Sequence, residues 1–183
     1  TSSWVNKIPF ADHGACLDPP TSDITGRMIE ILASFGFKKD HPVVSRALAF
    51  LRKSREENGS WRGRWGVNYI YGTWAVLQGL AAIGIPPEDP MITEGSQWLK
   101  SIQNKDGGWG ESCLSDSRSE YVPLGVSVPS QTAWAVMALL AAGEKDSPAV
   151  QRGIQWLTDN QEENGGWDEP YYTGTGFPGY GGG

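Results

Sequence analysis

Few residues in this chain have the types and spacing that chemistry needs. Asp23 and Arg27 stand four apart at the head of an apolar run, so a helix there sets carboxylate and guanidinium on one face. Taken alone, they read as an ordinary surface ion pair; arginine holds its proton and relays none. His13 and Cys16 have a spacing that suits a metal ion, but two ligands do not make a site. Cys16 and Cys113 have no CxxC partner, as befits a reducing compartment. The aspartates, from Asp12 to Asp168, are all isolated, so no paired-carboxylate acid is written into the chain.

Whatever the chemistry, a repeat must position it. The terminal tryptophans Trp61, Trp109 and Trp167 lie 48 and 58 residues apart. Phe50, Trp98 and Trp156 each precede them by eleven residues, and Pro42, Pro90 and Pro148 by nineteen. The third copy therefore carries an insertion of about ten residues within 112–128. A period of this size means stacked supersecondary units rather than one irregular globule. The 183 residues suffice for one domain with a real core, and the 9 Trp and 24 Gly belong to the repeat. A net charge of −6 without any Lys/Arg cluster argues against nucleic acid as a partner. No apolar run approaches the roughly 20 residues that span a bilayer. The chain opens on Thr1, as a processed product or a piece of a longer polypeptide does.

Each unit predicts two helices. The first is strongly apolar: Ile24 to Phe35, Tyr69 to Ile83 and Gln131 to Ala142, each stopped by a glycine (Gly36, Gly84, Gly143). Where apolar residues surround the axis, as in the last two, the helix must be covered on all sides. The second helix starts at the repeat's proline and is amphipathic. A buried helix alternating with a half-exposed one predicts an all-α fold, an α/α toroid with inner and outer helices; an open α-solenoid is the alternative. The hairpins span about 23–61, 69–109 and 129–167, with ordered loops at 1–22 and 168–183. Three hairpins leave two raw edges, so the chain is expected to be part of a larger ring.

The Gln103…Trp109 and Gln161…Trp167 endings, each preceded by Gly-x2-Trp-Leu, resemble the QW repeat of class II triterpene cyclases. The first copy departs, with Arg55 in the glutamine position. Ile8 to Gly14 with Asp18-Pro-Pro, Gly63 to Gly72, Pro129 to Trp134 and Asp168 to Gly179 are similar to squalene–hopene cyclases of bacteria, in the same order. The Gly63 to Tyr69 string argues against a plant-type diterpene cyclase. Protein prenyltransferase β-subunits share the toroid but need a zinc site absent here, and a non-catalytic toroid used for binding or as a scaffold is the remaining rival. The resemblance implies part of an (α/α)6 barrel that protonates squalene and cyclises it to a pentacyclic hopene or hopanol, without cofactor or metal. It also implies a monotopic protein on the inner face of the bacterial membrane. Its partners are then the rest of the cyclase chain and, as one option, a second full-length copy. The family's Asp-x-Asp-Asp acid lies upstream of the segment matched, so this chain alone is expected to be inactive.

Residue by residue, the resemblance implies that Asp23 is a carboxylate near the acid and that Arg27 replaces a histidine that supports it. Tyr71 matches a tyrosine that positions water and hydrogen bonds at the acid. Trp65 and Phe177 match cavity aromatics facing early and later cations, and Phe10 and Ala11 match a constriction of the substrate channel. Trp61, Gln103, Trp109, Gln161 and Trp167 are read as structural ties of the repeat.

Overall fold

The computed structural model describes residues 19–174. They form seven helices: α1 (Ser22–Ser34), α2 (Pro42–Lys53), α3 (Asn68–Ala82), α4 (Pro90–Ser101), α5 (Leu114–Arg118), α6 (Pro129–Ala141) and α7 (Pro148–Asp159). Helix α1 packs on α3 and α3 on α6, forming an inner row, while α2, α4 and α7 back them from outside. The architecture is that of an α/α toroid segment. No described helix is long and apolar enough to cross a membrane.

Local chemistry repeats with the sequence. Each inner helix ends in the same left-handed glycine, at φ +84°, +80° and +83° for Gly36, Gly84 and Gly143. Phe37, Ile85 and Glu144 then donate back to Leu32, Leu80 and Leu139, capping the free carbonyls. Outer helices open on proline, with His41, Asp89 and Ser147 accepting from the first turn. After each outer helix the chain turns through Gly59, Gly107 or Gly165, again at positive φ. There Asn58, Asp106 and Asn164 accept from the main-chain N–H two residues on.

Each turn delivers its tryptophan. The indole Nε1 of Trp61, Trp109 and Trp167 donates to the carbonyl of Leu51, Leu99 and Leu157, at 2.8, 2.8 and 2.7 Å. The N–H of Trp61 donates to Thr73 and that of Trp109 to Thr132, both on the next unit's inner helix. The glutamine ties differ by copy. Gln103 donates to Gly107 and Ala149, so it reaches the following outer helix; Gln161 reaches only Gly165 within its own turn.

Arg55, the residue out of pattern, also bridges to the next outer helix. It donates to the Pro90 carbonyl and pairs with Glu94 at 3.1 Å. In the next junction Arg152 stands at the position of Glu94 and donates to Gln103. The charge lost from one partner has moved to the other.

The two edges remain open. Ile24, Met28, Ile31 and Phe35 form one exposed apolar stripe along α1, with Phe35 79% exposed. Between α1 and α3 the backbones nearly touch, because a Cβ on Gly26 or Gly79 strikes main-chain atoms of the facing helix.

Gly95 and Gly153 occupy equivalent positions of α4 and α7, each beneath a repeat tryptophan, but with unequal clearance. A Cβ at Gly95 meets Trp61 at 3.2 Å, whereas one at Gly153 lies 2.6 Å from Val136 and 2.8 Å from Trp109. Replacing helical glycine by alanine gains about 1 kcal/mol of propensity. Gly95→Ala is therefore expected to stay within about 1 kcal/mol of neutral, and Gly153→Ala to cost about 1–3 kcal/mol by overpacking. Urea unfolding of the two variants checks the order.

Candidate functional site

The site gathers where loop 61–67 crosses the first turns of α1 and α3. Asp23, in the first turn of α1, is fully buried. Its Oδ2 accepts from the main-chain N–H of Arg64 at 2.9 Å and of Trp65 at 3.4 Å. Its Oδ1 is buried too, and takes no hydrogen bond among the described residues. A buried carboxylate oxygen without a donor is costly, which marks a place built for something other than stability.

Arg27 does not pair with Asp23. Its guanidinium forms an ion pair with Glu30 at 2.6 Å and lies 5.2 Å from the centroid of the Trp74 ring. The expected i,i+4 surface pair is thus replaced by an i,i+3 pair plus a cation–π contact. The cause is burial: Asp23 turns inward to loop 61–67, while Glu30 stays within reach on the half-open side of α1. Both Asp23 and Arg27 remain in electrostatic range of Tyr71. Burial pushes the Tyr71 phenol above its ordinary value, Asp23 pushes it further, and Arg27 pulls it back.

The Tyr71 ring is held on a glycine floor. A Cβ on Gly63 would lie 2.6 Å from its Cδ1, and one on Gly66 would strike the ring as well. On the other side Tyr71 meets Trp74 at 5.7 Å and Trp134 at 5.1 Å between centroids, and these two tryptophans stack 6.0 Å apart at 14°. Asp23, Arg27 and Tyr71 are therefore brought together. Trp65 contributes its N–H to Asp23, while its ring is 40% exposed and lies under the Arg64 guanidinium. Phe10, Ala11 and Phe177, like His13 and Cys16, lie outside the described residues.

Sequence reasoning did not single out Trp74 or Trp134 as site residues, although both fall on the inner row. It also passed over Glu111. This side chain is buried, and its carboxylate accepts from the N–H of Tyr69 at 3.1 and 3.0 Å and of Ile70 at 2.9 Å. It caps α3 from outside the helix. Glu169 does the same for α6, accepting from Ser130 at 2.9 Å. The signal was a glutamate two residues after Trp109 and Trp167; after Trp61 that position is Gly63. In the first unit the polarity is reversed: the helix supplies the carboxylate, Asp23, and the loop supplies the N–H groups. Among the described residues no cluster of His, Cys, Asp and Glu gathers to hold a metal ion.

This arrangement is found in a chain that belongs to the squalene-hopene cyclase C-terminal domain family, whose model matches residues 1–181. The chain is 53% identical over 178 residues to a squalene–hopene cyclase of Bradyrhizobium diazoefficiens, covering 96% of this chain and 27% of that protein. It is 50% identical over 179 residues to the one from Alicyclobacillus acidocaldarius, covering 98% and 28%. A dammaradiene synthase of Dryopteris crassirhizoma is 38% identical, with 96% and 29% covered. Among solved structures, an ent-copalyl diphosphate synthase from Streptomyces platensis superposes with TM-score 0.64 at 17% identity, covering 86% of this chain and 30% of that one. That likeness concerns the fold. The chain spans little more than a quarter of the cyclases it matches.

Burial raises the Glu111 carboxyl, while the N–H groups of Ile70, Tyr69 and Asn68 and the Ser115 hydroxyl lower it, with burial the larger effect. The native state then holds this proton to higher pH than the unfolded chain does. Between the ordinary value near 4.5 and the raised one, stability falls as pH rises, and it levels off above. Glu111→Gln removes that slope. Urea midpoints of the parent and the variant, compared upward from about pH 4.5, read the difference directly.

Proposed function

We propose that this chain is the C-terminal part of a cyclase that protonates squalene and closes it through carbocations to a pentacyclic hopene or hopanol. The single observation that carries the reading is Asp23. It is a buried carboxylate with one oxygen held by two main-chain N–H groups and the other, also buried, without a hydrogen bond among the described residues, in electrostatic range of Tyr71. Protonating an alkene needs a strong carboxylic acid, and such an acid needs its conjugate base stabilised by donors and cations. Asp23, Arg27 and Tyr71 are the groups of this chain suited to support an acid supplied by another part of the polypeptide. The cations formed next need stabilisation by groups that do not attack them. Ring faces such as those of Trp65, Trp74 and Trp134 provide a negative quadrupole and no lone pair.

The Oδ1 of Asp23, without a donor among the described residues, and the exposed stripe on α1 support the same division. On this reading the preceding part of the cyclase covers the stripe and brings the acid, and the ring it completes excludes water from the cavity. The enzyme is placed peripherally on the inner membrane of bacteria, taking its lipid substrate from one leaflet.

Two outcomes test the reading. The 183-residue chain alone is expected to give no cyclic product from squalene in a gas-chromatographic assay. In the complete cyclase carrying this segment, Asp23→Asn is expected to lower kcat by about 100-fold or more, the usual scale for losing an electrostatic partner of the reacting group. Full activity of that variant rules out a role for Asp23 at the acid.

A further inference from the structure

The insertion peculiar to the third unit has no counterpart in the other loops, and the proposed reaction has not used it. It contains α5 and sits against the start of α3. Ser115 is fully buried and accepts from Val122, closing the insertion on itself. Asp116 takes Arg62 at 2.8 Å and Asn68 at 3.3 Å, tying the insertion to loop 61–67 and to the first residue of α3. Asn68 is bonded in both directions to Gly63, through Gly63 N–H at 2.7 Å and the Gly63 carbonyl at 3.1 Å. Glu111 stands at the head of this brace.

Glu111 is fixed from behind as well. The Gln131 side chain, fully buried on α6, accepts from the Glu111 N–H and donates to the Glu111 carbonyl at 3.1 Å. The Glu111 main chain is thus held against α6 while its carboxylate binds the first turn of α3, whose N–H groups have no partner within the helix and carry the positive end of its dipole. Tyr71 follows Ile70, the last residue Glu111 binds, and its ring has glycine backbone on one side and Trp134 of α6 on the other. A small rotation or slide of that first turn moves the phenol directly.

Resting on the cyclase reading above, we propose that Glu111 is a positioning residue for the reaction: by clamping the first turn of α3 to α6 it sets where the Tyr71 phenol stands relative to Asp23. It touches no substrate. Its effect travels through one turn of helix, and misplacing a reacting group by about 1 Å can cost about 100-fold in rate.

The test uses the complete cyclase with squalene as substrate. Glu111→Ala is expected to lower kcat by about 10–100-fold with little change in KM, since only the placement of Tyr71 is lost. Glu111→Gln keeps an oxygen acceptor for the Tyr69 and Ile70 amides and is expected to restore most of kcat. Gly153→Ala, in outer helix α7, serves as a variant that loses stability against Val136 and Trp109 without touching Glu111, Tyr71 or the first turn of α3, and is expected to keep kcat at assay temperatures well below its melting point. Equal kcat losses in Glu111→Ala and Gly153→Ala overturn the proposal, as does an unchanged kcat in Glu111→Ala. If Glu111→Ala does not accumulate, Gln131→Leu takes its place: it removes both hydrogen bonds that hold Glu111 to α6, and a parental kcat in that variant overturns the proposal. An unmutated complete cyclase that leaves squalene untouched sinks the cyclase reading, and this inference falls with it.

Discussion

Every unit of this fold is finished by its neighbour. The repeat tryptophan makes its indole hydrogen bond within its own hairpin, but its burial and its main-chain partner come from the hairpin that follows. Trp61 and Trp109 are fully buried, under Gly95 and Gly153, with Thr73 and Thr132 on their N–H groups. Trp167 makes the same indole bond and is still 44% exposed. The difference between these chemically identical side chains measures what a succeeding hairpin contributes. A full tryptophan face removed from water is worth a few kcal/mol at about 25 cal/mol per Å². Stability in such a stack is therefore a property of junctions, and it accumulates in the direction of the chain.

The same junction logic explains which parts of the fold were legible beforehand. Helix ends were written in glycines and prolines whose backbone needs are strict, so the inner and outer helices appear where the pattern put them. Arg55 looked like a flaw because a single position was read alone. Its meaning lies in Glu94 and Arg152, which occupy equivalent places in successive outer helices and bear opposite charges. A pairing across 39 or 49 residues has no local trace in the sequence. The insertion was visible as a change of period, but its purpose was not, because Asp116 acts on Arg62 of the preceding loop and Asn68 of the preceding inner helix.

The candidate site was only half visible for a related reason. Asp23, Arg27 and Tyr71 were picked out through their matches to a known family, and the fold does draw them together. Spacing suggested that Asp23 and Arg27 should bond each other. Spacing on a helix gives proximity, however, and burial decides the partner: the inward carboxylate took main-chain donors from loop 61–67, and Glu30 took the arginine. Trp74 carried no signal apart from its place on an apolar helix, where a packing ring and a cavity ring look alike, and Trp134 stood only as the end of the Pro129 to Trp134 match. Glu111 had a signal, the glutamate after the repeat tryptophan, whose function emerges only when the inner helix N-terminus is seen beside it.

That signal gives the first unit its distinct character. In the second and third units a loop glutamate neutralises the start of the inner helix, and the charge is spent on structure. In the first unit Gly63 replaces the glutamate, which also makes room for the Tyr71 ring. The loop N–H groups of Arg64 and Trp65 serve Asp23, whose second oxygen takes no hydrogen bond among the described residues. Arg27 is held by Glu30 and the face of Trp74, and a guanidinium is no proton relay in any setting. On the proposed reading its work is electrostatic, and any proton returning to the acid must pass through a hydroxyl or a water. Tyr71 is the hydroxyl in range of both charges, and its phenol keeps its proton more firmly than usual. It is suited to orient a water rather than to ionise. The unit that gave up a stabilising cap is thus the one in which a carboxylate, a fixed cation and a neutral hydroxyl face a common aromatic wall.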